Sequence, residues 1–162
     1  MSVNRDLPHL FVLPEDKANS DIANEFHIEV PFDRYRQMQV LKPAGGWLAV
    51  LSVFSTEHLA AMEIIPHRYM VLLIDFDNDN RRLDNIALKI PGHLRERVFI
   101  LGSLVDPEAL KAALGSYKTI GRTLASECRD QTTNFWDHEL LAHNESELER
   151  LRPVVRTILF GD

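Results

Sequence analysis

"YMVLLIDFDNDN", residues 69–80, is the stretch on which the fold turns. Tyr69 to Ile74 form a mostly apolar run, too short to span a membrane and too uniformly apolar for a strand with one wet face. It reads as a strand buried on both faces, the kind found inside a parallel sheet. The run then meets Asp75, Asp77 and Asp79. Neighbouring carboxylates repel, and an unpaired buried charge is costly, so something near this strand end must offset the cost.

Three further runs have strand length: LFVL at 10–13, MQVL at 38–41 and VFIL at 98–101. Helical patterns separate them. Segment 16–26 places Ala18, Ile22 and Phe26 at helical spacing, and segment 47–62 places Trp47, Val50, Leu51 and Phe54 on one side. A break is expected near Ser55, where Ser-Thr suits a new turn. Segment 81–90 fits a helix or a short strand, and helix is preferred. Strand alternating with helix predicts an α/β fold, a mainly parallel sheet of about four strands with right-handed crossovers and helices on both faces.

After the fourth run the chain turns helical. Asp106 suits an N-cap, Pro107 the first helical position and Gly115 the stop. Ser116 caps a following helix through Leu124 and Cys128. A last helix is expected from "HNESELERL" (143–151), where Asn144 and Glu147 have capping-box spacing. Leu148, Leu151, Val155, Ile158 and Leu159 form its apolar stripe. The organisation expected is a single domain, 1–162, with an α/β core over 10–115 and a helical extension over 116–162 that covers one face of the sheet.

Composition narrows the function classes. A chain of 162 residues with 45% hydrophobic residues builds one well-packed domain. The net charge of −6 argues against holding nucleic acid by bulk positive charge, yet leaves room for phosphate reached through a metal ion. Cys128 is the single cysteine, so no internal disulfide forms and a cytoplasmic setting is expected. No secretory leader and no membrane segment are expected. His138 and His143 lie five apart, not at the i, i+4 spacing of a zinc helix. Cys128 reads as a small core residue and Trp136 as an anchor for the C-terminal helices.

In parallel sheets, ligands bind beyond the carboxyl ends of the strands. Glu15 and Asp16 follow the first run, Asp75 and Asp77 the third, and Glu108 lies just past the fourth. Hard divalent cations take such oxygen ligands, and a cation relieves the repulsion among them. Turn chemistry accounts for Asp79. Gly45-Gly46 after the second run suits either a close approach to a ligand or a plain strand-to-helix turn. Lys17 and Lys42, which follow the first and second runs, are candidates to contact phosphate from the same edge. Arg81, Arg82, Arg95 and Arg97 form either a basic edge near Asp77 or solvated helix faces.

A glutamate closing the first strand and Asp-x-Asp closing a later parallel strand resemble the Toprim fold. The likeness is nearest to the nucleases related to the overcoming-lysogenization-defect family, in which an acidic residue often opens the helix after the fourth strand, as in "VFILGSLVDPEALKAAL" (98–114). It covers about residues 10–115. The family usually has glycine directly after the first glutamate, where Asp16 stands here. The resemblance implies that Glu15, Asp75 and Asp77 bind Mg²⁺ or Mn²⁺, with Glu108 as a further ligand. Metal-dependent cleavage of nucleic acid follows, with Glu15, Asp75, Asp77 and Lys17 as catalytic residues. Nucleic acid is then held weakly, through metal, and any ATPase partner is a separate chain.

Two other readings carry different chemistry. In a receiver-like module Asp75 is the phosphoacceptor, Glu15 and Asp16 hold Mg²⁺, and Ser103 follows the fourth strand; the expected fifth strand with its lysine is not evident. A catalytically inactive Toprim-like module binds a partner instead. Oligomeric state leaves no signal in the sequence.

Overall fold

A computed structural model describes residues 2–161. Its four parallel strands are β1 (His9–Pro14), β2 (Met38–Val40), β3 (Arg68–Leu73) and β4 (Val98–Leu101), in the order β2-β1-β3-β4 among the described residues. Each expected run is a strand to within a residue or two. Successive side chains alternate between two separate cores, as the period of a strand requires. Leu10, Val12, Val71, Phe99 and Leu101 face one core, and Phe11, Leu13, Met70, Leu72 and Ile100 face the other. The uniformly apolar character of residues 69–74 follows from this, because both faces of β3 are covered.

Helix α1 (Lys17–Ile28) starts at Asp16, whose carboxylate accepts from the Asn19 amide at 2.9 Å. Its buried side is Asn19, Ile22, Ala23 and His27, one residue round from the expected Ala18, Ile22 and Phe26. Helices α2 (Trp47–Val53) and α3 (Leu59–Ile64) are joined by a π turn, Phe54–His58. The expected break near Ser55 is therefore absent. The chain widens by one residue per bond and continues, because neither Ser55 nor Thr56 caps a new helix; the Thr56 hydroxyl bonds back to the Ser52 carbonyl at 2.9 Å. Segment 81–90 resolves as a short helix, α4 (Arg82–Ala87).

Helices α5 (Pro107–Leu114) and α6 (Tyr117–Asp130) carry the expected caps, with Asp106 accepting from the Ala109 amide and Ser116 from the Thr119 amide. Helix α7 (Glu145–Leu159) buries its expected stripe, but it has no capping box. The Asn144 and Glu147 side chains turn instead to β4. Asn144 Oδ1 accepts from the Gly102 amide at 3.1 Å and its Nδ2 donates to the Gly102 carbonyl at 2.9 Å. Glu147 Oε1 accepts from the Ile100 amide at 2.9 Å. The outer edge of β4, which a bare edge strand leaves unpaired, is thus satisfied by side chains of α7 and the turn before it.

Ile120, Leu124, Cys128, Trp136, Leu151 and Val155 share one core with Leu10, Val12 and Phe99. Residues after Gly115 therefore complete the layer over one face of the sheet. Among the described residues no helix is long and apolar enough to cross a membrane.

Candidate functional site at the carboxyl edge of the sheet

Strands β1 and β3 are neighbours in register, with Pro14 opposite Leu73, so Glu15 and Asp75 leave the sheet side by side. The Glu15 amide donates to the Leu73 carbonyl at 2.8 Å, and Glu15 Oε2 accepts from the Asp75 amide at 2.6 Å. The loop after β2 closes over the same place. Gly45 and Gly46 both donate to the Glu15 carbonyl, at 2.8 and 3.2 Å, with φ of 99° and 131°. The glycine pair is thus a tight turn against the glutamate's own backbone, and it delivers Trp47 to the start of α2.

Asp75 is only 7% exposed, and its Oδ1 accepts from Asn19 Nδ2 at 3.0 Å. Asn19 Nδ2 also donates to Asp16 Oδ1 at 3.1 Å, so one buried amide ties Asp16 to Asp75. Burial pushes the Asp75 carboxyl up to about 7; the Asn19 bond opposes this, and the charges of Glu15, Asp16 and Asp77 add to it. Burial likewise raises Glu15, helped by Asp16 and Asp77 and opposed by the Asp75 amide.

Asp77 and Asn78 take left-handed backbone angles, with φ of 49° and 58°. The turn brings Asp77 Oδ2 to within 2.8 Å of Arg82 Nη1, which also donates to the Asp75 carbonyl at 2.7 Å. The Arg82 guanidinium lies 4.5 Å from the centroid of the Trp47 ring, a cation–π contact. Asp79 is the turn residue its composition suggests, accepting from the Arg81 amide at 3.0 Å.

Glu15, Asp16, Asp75 and Asp77 are therefore brought together, as their strand-end positions lead one to expect. Lys17 is turned away: its side chain is 87% exposed and pairs with Asp21 at 3.0 Å, one turn along α1. Glu108 is exposed in the first turn of α5, and its charge bears on Tyr117 rather than on Glu15 or Asp75. Of the four arginines, only Arg82 joins the acids. Arg95 and Arg97 bind backbone carbonyls of Val98, Ile65, Arg68 and Met62 at the far end of the sheet. Asn19 and the contact between Arg82 and Trp47 were not anticipated. Asn19 carried a signal, since it falls on the apolar stripe of α1 three and four residues before Ile22 and Ala23. The pairing of Arg82 with Trp47 carried none, because 35 residues separate them.

The donors are carboxylate oxygens, which hard cations such as Mg²⁺ and Mn²⁺ take. Their mutual repulsion, which adds to the burial that raises Asp75 and Glu15, is what a cation relieves. As placed, Asp77 is held by Arg82 and Glu15 by the Asp75 amide. Among the described residues no three His, Cys, Asp or Glu side chains already close on one ion position. Beneath Asn19 and Ser103 lies a mostly apolar cavity of about 90 Å³ that gives the edge a hydrophobic floor. Comparison with protein-family models, with curated proteins and with solved structures finds no match.

Proposed function

We propose that the chain is a divalent-cation-dependent phosphodiester-cleaving protein of the Toprim type, acting on nucleic acid. The observation that supports this best is the meeting of Glu15, Asp75 and Asp77 at the carboxyl edge of two adjacent central strands. Glu15, Asp75 and Asp77 would hold Mg²⁺ or Mn²⁺, with Asp77 exchanging its bond to Arg82 for the ion. When bound, the ion neutralises the phosphate and lowers the pKa of an attacking water.

The chain's own groups do the rest. The Asp75 amide fixes Glu15, and Asn19 orients Asp75 Oδ1, so two oxygens are held before any ligand arrives. Arg82, freed from Asp77, offers its fork of N–H donors to a phosphate oxygen and is braced by Trp47. It is better placed than Lys17 to meet developing negative charge. Substrate held this way depends on the ion more than on cationic surface, so a separate partner chain, an ATPase among the candidates, supplies further grip. The receiver-like reading is less well supported, since the described residues form a four-stranded sheet and Asp75 is buried beneath its neighbours.

Two measurements test the reading. Thermal melts should show Mn²⁺ raising the midpoint of the wild type and raising that of Asp77→Asn less; equal shifts count against the metal site. Labelled DNA and RNA should be nicked or cut with Mn²⁺ and spared by Glu15→Ala and by Asp75→Ala. Cleavage that persists in both variants comes from elsewhere and removes the mechanism. A metal shift without cleavage, even when a partner is supplied, assigns a binding module in place of an enzyme.

A further inference from the structure

The amino ends of the strands carry a second polar cluster, of opposite sign. Arg68 opens β3 directly opposite His9 of β1, and it is only 3% exposed. His9 is fully buried, and its Nδ1 donates to the Leu7 carbonyl at 2.7 Å. That bond fixes the neutral tautomer and leaves Nε2 to accept from Arg68 Nε at 2.9 Å. The guanidinium lies 4.4 Å from the centroid of Phe11. Its Nη2 is buried and has no hydrogen-bond partner.

No carboxylate pairs with Arg68 among the described residues. The charged group that bears on it, Arg5, shares its sign. His58 and His67 stand around it. The His67 ring meets His9 edge-on at 5.5 Å, and His58, delivered by the π turn, meets Phe11 edge-on at 6.2 Å. Glu57 is the acid that bears on His58, and it is exposed. A guanidinium does not shed its proton, and a buried cation without an anion is expensive. A cluster of this kind is incomplete without a negative group.

We propose that the amino edge of the sheet is an anion site for a phosphate group, taken by Arg68 Nη2 and Arg5, with His58 and His67 at its rim. Two permanent guanidinium charges match a phosphate dianion better than a single carboxylate. Arg5 is exposed and the His58 and His67 rings are half-buried, whereas Arg68 Nη2 is buried, so a phosphate reaches it only as these outer side chains move aside. Six residues of β3 separate this cluster from the acidic edge, a distance of roughly 20 Å. The site is therefore distinct from the acidic one and does not rest on the reading of that edge.

Thermal melting of the intact chain decides it. Inorganic phosphate at about 10 mM, against chloride at matched ionic strength, should raise the wild-type midpoint by about 3 °C or more. The shift should fall by at least half in Arg5→Ala and vanish in Arg68→Met, while Glu15→Ala keeps it whole. A 5′-phosphorylated oligonucleotide that reproduces the shift, where its unphosphorylated twin does not, assigns the group to a nucleic-acid end. A response to inorganic phosphate alone assigns a free anion. A shift no larger than that of chloride overturns the proposal, as does one undiminished in the variants. If Arg68→Met does not fold, the phosphate shifts of Arg5→Ala and His67→Gln, both outside the core, decide between the two outcomes.

Discussion

Asp75 sits where a strand leaves the core, and its surroundings oppose ionisation. Its folded pKa, about 7, lies above the unfolded value, so between about pH 4 and 7 the folded chain binds the extra proton. Stability from this group therefore grows as pH falls through 7 and is lost as pH rises through it. The shift is worth up to about 4 kcal/mol. The buried His9 and His27 and the half-buried His58 and His143 work the other way: desolvation lowers each of them, so their contribution is full above about 6.5 and is lost as pH falls. The sum hides both effects, but a difference does not. Asp75→Asn should be more stable than the wild type above pH 7 without metal, and the gap should close toward pH 5. Urea melts across that range check it; a constant gap means that Asp75 does not titrate there.

At the scale of elements, the edge of β4 is held by side chains rather than by another strand. Glu147 is buried and answers the Ile100 amide, Arg95 at 3.0 Å and Arg150 at 2.7 Å. Glu147→Ala leaves a strand amide unmet and takes the carboxylate from Arg95 and Arg150, which keep only their backbone carbonyls, and should cost about 3 kcal/mol or more, read from the denaturant midpoint. Next along the chain, Gly102 passes so close to β3 that an added Cβ would stand 1.5 Å from the Ile74 carbonyl oxygen. Gly102→Ala therefore has to push β4 away from β3 where the acidic loop begins, and should cost roughly 3 kcal/mol. Gly121 of α6 is similar, with an added Cβ at 2.3 Å from the Ile22 carbonyl on α1. Asn144 and Glu147 also show why spacing misleads. Three residues apart at a helix start suits a capping box, but spacing does not reveal that a strand edge lies within reach and needs the same groups.

For the whole molecule, two consequences follow from layering and charge. One face of the sheet is covered by α1 and α7, with α6 packed on α1, and both α6 and α7 lie wholly after Gly115. A fragment ending at Gly115 keeps α1 but loses Ile120, Leu124, Trp136, Leu151 and Val155 from the core that holds Leu10, Val12 and Phe99, and should show no cooperative unfolding transition by circular dichroism. The net charge of −6 sets the other expectation. Without divalent ions, oligonucleotide affinity at physiological salt should be no tighter than about 10 μM, with a shallow dependence on salt, because few cations replace counterions. A steep salt slope in fluorescence anisotropy rejects this.

The alternation of apolar runs and helical stripes was enough to read four parallel strands, both layers of helices, and the caps at Asp106 and Ser116. These are local matters, in which periodicity and capping chemistry act within a few residues. Strand-end position was also enough to nominate Glu15, Asp75 and Asp77, because a buried strand must surface somewhere and its first polar residues do so together. Strand order, and with it the pairing of Arg82 to Asp77, Trp47 to Arg82 and Asn19 to Asp75, belongs to the packed molecule. So does the turning of Lys17 toward Asp21. Each is a choice between partners made by proximity in space, and distances between residues tens of positions apart exist only once the sheet has closed.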